Sequence, residues 1–89
     1  MAAQIENILC AGTEKAEGVK ILLSLTDMTS ENMEGALIDH LVTGHPATVS
    51  CALNGVTKSN FSRDLKTLNK VANKLDKYFE LYYTKSVNR

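Results

Sequence analysis

Apolar residues return every three or four positions along most of this chain, the period of a helix with one buried face. Met33, Leu37 and Leu41 repeat at four-residue intervals with Ala36 beside them, which predicts a helix starting at Thr29 or Ser30. Glu31 and Glu34 sit where the positive end of that helix favours acids, and Thr43-Gly44 ends it. Gly35 lowers its helix propensity but permits close packing. Pro46 can open the next helix, where its missing N–H has no intrahelical partner to lose. Val49 and Leu53 make an apolar pair on that helix, with Cys51 and Ala52 as small residues beside them. Asn54-Gly55 stops it, since both residues tolerate the left-handed conformation of a helix end. Val56 then anchors the turn, and Thr57 caps a further helix whose apolar positions are Phe61, Leu65 and Leu68. A short helix, a glycine-bearing turn, an apolar plug and a polar-faced second helix make a helix-turn-helix.

The flanks are less patterned. Val19 to Leu25 is a short apolar run assigned to a helix on the core. Residues 1–18 hold one turn of contacts at Ile5, Ile8 and Leu9, then breaks at Ala11-Gly12-Thr13 and Glu17-Gly18. They are expected to be a flexible segment that orders only against a partner or the body of the domain. Beyond Leu68 the stripe continues through Ala72, Leu75, Phe79 and Tyr82. Asn69 and Asn73 are mediocre helix residues, so a break near Lys70 and one long helix are both allowed. The expected fold is therefore all-α, a small helical bundle with its helix-turn-helix domain in residues 19–85. At 89 residues the core is modest, and oligomerisation often supplies the missing burial.

Charge changes this picture. The formal net charge is +0, yet the charged residues up to Gly44 are mostly acidic and those from Lys58 to Lys77 mostly basic. On a helical wheel Phe61, Leu65, Leu68, Ala72, Leu75 and Phe79 form one stripe. Ser59, Arg63, Lys66, Lys70, Lys74 and Lys77 form another, roughly 180° away. Asp64 and Asp76 lie off the centre of the basic stripe. A phosphate backbone meets local potential, not total charge. Lys58, Arg63, Lys66 and Lys70 are the expected phosphate contacts, while Thr57, Ser59, Asn60 and Ser62 fix register or read groove edges. Which groove they enter is left open. Tyr78, Phe79 and Tyr82, aromatics at helical spacing, are assigned to an oligomer interface.

Other chemistry finds little support. No basic start and apolar run marks a signal peptide, and no stretch approaches the roughly 18 apolar residues of a membrane span; a reducing cytoplasm is expected. Cys10 and Cys51 are too few for a disulfide framework. His40, His45 and Cys51 lack the spacing of a metal site, and no acid, base and nucleophile come together. No cofactor, metal or enzymatic activity is expected. His45 reads as a linker residue or cap, and Cys51 as a small packing residue where two helices approach.

Leu22-Leu23, Ser30, Ala36, Asp39, Leu41-Val42, Gly44-His45, Cys51, Phe61-Ser62, Leu65 and Leu68 form an ordered, ungapped set over more than half the chain. This set resembles the PapB-type regulators of bacterial fimbrial (adhesin) operons, and Tyr82-Tyr83 would extend the likeness. The resemblance implies a small all-helical protein that binds double-stranded DNA as a dimer or larger homo-oligomer. It further implies AT-rich repeated sites upstream of fimbrial genes, contacts in the minor groove, and control of transcription on the nucleoid. Cys51 matches a family cysteine linked to DNA binding. The chain departs from the family at Pro46-Ala47, where a basic residue is usual, and at Asn54, where a larger apolar residue is usual. The competing expectation is a helical interaction module that docks on an acidic protein and never touches DNA.

Overall fold

In the computed structural model, which describes residues 9–27 and 30–84, four helices follow one another without a strand among the described residues. Helix α1 (Ala16–Ser24) buries Val19, Leu22 and Leu23, the i, i+3, i+4 face of the apolar run, against α2 and α4. Helix α2 (Glu31–Ile38) starts at Ser30, whose hydroxyl accepts from the Met33 N–H at 3.2 Å. Thr29, the other candidate start, lies outside the described residues, as do Ile5 and Ile8. Met33, Ala36, Leu37 and Leu41 are buried at the centre of the core.

Helix α2 does not stop cleanly but widens into a π turn, Asp39–Thr43. The Asp39 carbonyl accepts from both Gly44 N–H (3.0 Å) and His45 N–H (3.1 Å). In an α-helix those donors would have gone to His40 and Leu41. The two released carbonyls accept instead from Gly12 (3.1 Å) and Glu14 (2.9 Å). Gly44 closes the turn at φ 94, and Gly12 meets it at φ 74. A Cβ added to Gly12 would stand 3.3 Å from Gly44 Cα, so the two backbones touch where neither has a side chain. Leu9 is buried, and its N–H donates to Asn69 Oδ1 at 3.1 Å. Residues 9–14 thus form a strap hydrogen-bonded to the body at both ends.

Helix α3 (Ala47–Asn54) begins one residue later than Pro46 suggested, with Pro46 in the capping position, a shift within the ordinary uncertainty of helix ends. Helix α4 (Lys58–Phe79) is one continuous helix of 22 residues. It passes Lys70 unbroken because the two asparagines are employed within it. Asn69 is buried, and its side chain donates to the Leu65 carbonyl at 3.2 Å; Asn73 does the same to Asn69 at 2.8 Å. A second π turn, Glu80–Thr84, extends α4. The resulting rod is about 40 Å long at about 1.5 Å per residue, and it sets the long dimension of a molecule measuring 49 × 28 × 23 Å.

Candidate nucleic-acid interface

The seam between α3 and α4 is built from local signals. Gly55 takes the left-handed conformation (φ 69), and the Cys51 carbonyl accepts from the Val56 N–H at 3.1 Å. This closure carries its usual apolar contact, Val56 packing on the core. Thr57 then caps α4, its hydroxyl accepting from Asn60 N–H at 3.2 Å. Four residues on, the Phe61 side chain is 2% exposed. Its ring meets His40 edge-on at 5.6 Å and 82°. His40 is itself fixed by donating from Nδ1 to the His45 carbonyl at 2.8 Å, so the loop between the π turn and α3 is tied to the start of α4. Leu68 is fully buried, and Leu65 packs against the core from its edge.

One expectation for α3 is corrected. Val49 and Leu53, assigned to the packing, are 40% and 65% exposed. The inward face carries Ser50 and Cys51, with Ala47 and Asn54 beside them. The reason is distance. Helix α3 lies so near α2 that a Cβ on Gly35 would overlap Asn54 Oδ1. Only small side chains are accommodated there, and the larger pair turns to solvent. Cys51, being buried, lies beneath the surface of α3, not on it.

Every side chain assigned to DNA contact, Thr57, Lys58, Ser59, Asn60, Ser62, Arg63, Lys66 and Lys70, is exposed. Lys74 and Lys77 are exposed too and, with no break in α4, prolong the same cationic flank. Among the described residues one ion pair touches this flank, Arg63 Nε to Asp64 Oδ1 at 3.1 Å. It leaves Arg63 exposed and engages one of five guanidinium donors. Lys66 and Lys70 make no ion pair among the described residues. The outward surface of α3 contributes Thr48, Val49, Ala52 and Leu53, with no charge of either sign. A polyanion laid along α4 therefore meets no repelling carboxylate on α3.

At its far end α4 projects Tyr78, Phe79 and Tyr82, each more than half exposed, together with Leu81. The Tyr78 and Tyr82 rings lie 4.7 Å apart, so the aromatics form one patch. Among the described residues no cluster of three or more metal-ligating side chains occurs, and no helix is long and apolar enough to cross a membrane. Periodicity and caps gave no sight of the hydrogen bond from Asn54 Nδ2 to Asp39 Oδ2, the buried Asn69 or the Gly12–Gly44 contact. Of these, only the two glycines left a signal, Gly44 at a predicted helix end and Gly12 at a break in the apolar pattern.

Taken together, these features define a small all-helical domain with a cationic helix presented outward from a tight two-helix elbow. The crystal structure of FocB from E. coli has the same fold, with a TM-score of 0.72 and 27% sequence identity over 84% of each chain. The chain belongs to the PapB family of adhesin biosynthesis transcription regulatory proteins, whose family model matches residues 1–83. No curated protein gave a significant match.

Proposed function

We propose that this regulator acts by binding duplex DNA along the flank of α4 from Thr57 to Lys70, as a homo-oligomer joined through its aromatic end, in the bacterial cytoplasm. The observation that carries the reading is the joint exposure of Arg63, Lys66 and Lys70 on one helix whose opposite face is the core, with Lys58 exposed in its first turn. The lysines supply salt-sensitive phosphate contacts. Thr57, Ser59, Asn60 and Ser62, at the end of α4 nearest the elbow, supply short hydrogen-bonding groups that set register. Membership of the family supports AT-rich repeated operators upstream of fimbrial genes as the sites.

The test is a fluorescence anisotropy titration of the full chain against an AT-rich duplex at several salt concentrations. DNA binding requires log affinity to fall steeply against log salt. Replacing Lys66 and Lys70 by alanine should flatten the slope by about 1 for each phosphate that is no longer neutralised. A module that docks on an acidic protein would instead show no appreciable duplex affinity at moderate salt. That outcome would reject the proposal.

A further inference from the structure

Arg63 differs from its basic neighbours in being held. Its Nε donates to Asp64 Oδ1 at 3.1 Å, although adjacent residues on a helix point about 100° apart. The guanidinium therefore leans around α4, away from the line of Lys66 and Lys70 and toward Asp64. The carboxylate is the fixed member of the pair: its side chain is 15% exposed against 68% for Arg63. It sits in a groove between the end of α1 and α4, with Leu25, Thr26 and Val71 among its walls, and Asp27 lines the same groove. With Nε engaged, the guanidinium is held on the Asp64 side of α4, and its two terminal nitrogens carry the remaining four N–H donors. A lysine in that position would be a free point charge. A braced arginine is a fork with a fixed direction.

We infer that Asp64 is a specificity-determining positioning residue, resting on the DNA-binding reading above. It holds the Arg63 guanidinium to one side of the Lys66–Lys70 line with both terminal nitrogens free for paired acceptors at the edge of a duplex, and it offsets charge that would otherwise bind any duplex. Removing it should leave binding intact but make it less selective.

The probes are a duplex selected from a randomised pool by the wild-type chain and a shuffled duplex of the same composition. Affinities for both are measured across salt concentration with the full chain. Asp64→Ala should cut the preference for the selected duplex about fivefold or more, within the range one oriented bidentate contact provides. Its salt slope on the shuffled duplex should steepen by up to about 1. Asp64→Asn keeps an oxygen for Nε, so it should steepen the slope while holding the preference within about twofold of wild type. It also keeps the side-chain shape should the alanine variant fail to fold. Asp27→Asn removes a carboxylate from the same groove without touching Nε and should leave the preference unchanged.

An Asp64→Ala chain as selective as wild type overturns the inference. So does an Asp64→Asn chain that loses as much selectivity as the alanine variant, because charge alone would then account for the effect. If the wild-type chain selects no duplex and binds none, the DNA-binding reading falls as well. If wild type is selective and Asp64→Ala equals it, only the role of Asp64 falls.

Discussion

Asn54 Nδ2 donates to Asp39 Oδ2 at 2.9 Å, joining the last turn of α3 to the first residue of the π turn. The same amide group donates to the Ser50 carbonyl at 2.9 Å, and its oxygen occupies the space a Cβ on Gly35 would need. Gly35 costs α2 about 1 kcal/mol of helix propensity relative to alanine, and that space is what it provides. Gly35→Ala alone should therefore destabilise the domain by about 1 kcal/mol, because displacing Asn54 forfeits a hydrogen bond to a charged group. In an Asn54→Ala background the same change should stabilise by about 0.5–1 kcal/mol. Urea denaturation of the four chains measures the cycle. Equal gains in both backgrounds would show that Gly35 is not kept for Asn54.

Phe61 is the largest of the fully buried side chains among the described residues, lying beneath the elbow and edge-on to His40. Phe61→Ala should cost about 3–5 kcal/mol, a large part of the stability of a domain this small. Ser62→Ala, one residue along and exposed, should stay within about 0.5 kcal/mol of wild type. Thermal melts of both variants followed by circular dichroism give the comparison.

Most of the fold was legible because its helices announce themselves with large apolar residues and local caps. Ser30, Gly55 and Thr57 act through their nearest neighbours, and Met33, Leu37 and Leu41 repeat on one face of α2 and its π turn as Phe61 and Leu68 do on α4. The rotation of α3 was not legible. Periodicity favours its bulkiest apolar pair, whereas a seam between closely approaching helices selects the smallest residues; Cys51 reads as such a residue and is buried, but Ser50 carries no hydrophobic signal. Asn69 was opaque for a similar reason, since a polar residue on an apolar stripe looks like a break until its partner, the Leu9 N–H, is known. The cationic flank was legible as charge, but the leaning of Arg63 depends on where the end of α1 lies. Leu53→Ser tests the rotation, because an exposed position should change stability by only about 0.5 kcal/mol, whereas a packed leucine would cost several times more. Urea midpoints decide between them.

Two glycines in the first part of the chain should respond oppositely to alanine. Gly12 holds φ 74 with Gly44 Cα 3.3 Å from any added Cβ, whereas nothing lies within 4 Å of a Cβ on Gly18, inside α1. Gly12→Ala should destabilise by about 1–2 kcal/mol from the left-handed backbone alone. Gly18→Ala should stabilise by about 0.5–1 kcal/mol. Amide hydrogen exchange places the damage. In Gly12→Ala the Glu14 N–H should lose protection, since its bond to the Leu41 carbonyl belongs to the strap. An unchanged Glu14 rate together with reduced stability would mean that the strap is not what the substitution loosens.

The exposed end of α4 carries the prediction about self-association. Tyr78, Phe79, Leu81 and Tyr82 leave over half of each side chain in water, and the core extends along α4 only as far as Leu75, partly buried. Such a patch, on a rod that outreaches the body of the domain, suits a contact between copies in which aromatics act as anchors. Replacing Tyr78 and Tyr82 by serine should leave the monomer's melting temperature within a few degrees of wild type, because neither ring is part of the core. If this patch joins copies of the chain, the same variant should weaken self-association at least tenfold, equivalent to about 1.4 kcal/mol, as read by sedimentation velocity across protein concentration. If the variant melts much earlier and still associates normally, the rings serve the fold of a single chain, and the interface must be sought elsewhere, with the uncharged surface of α3 the next place to look.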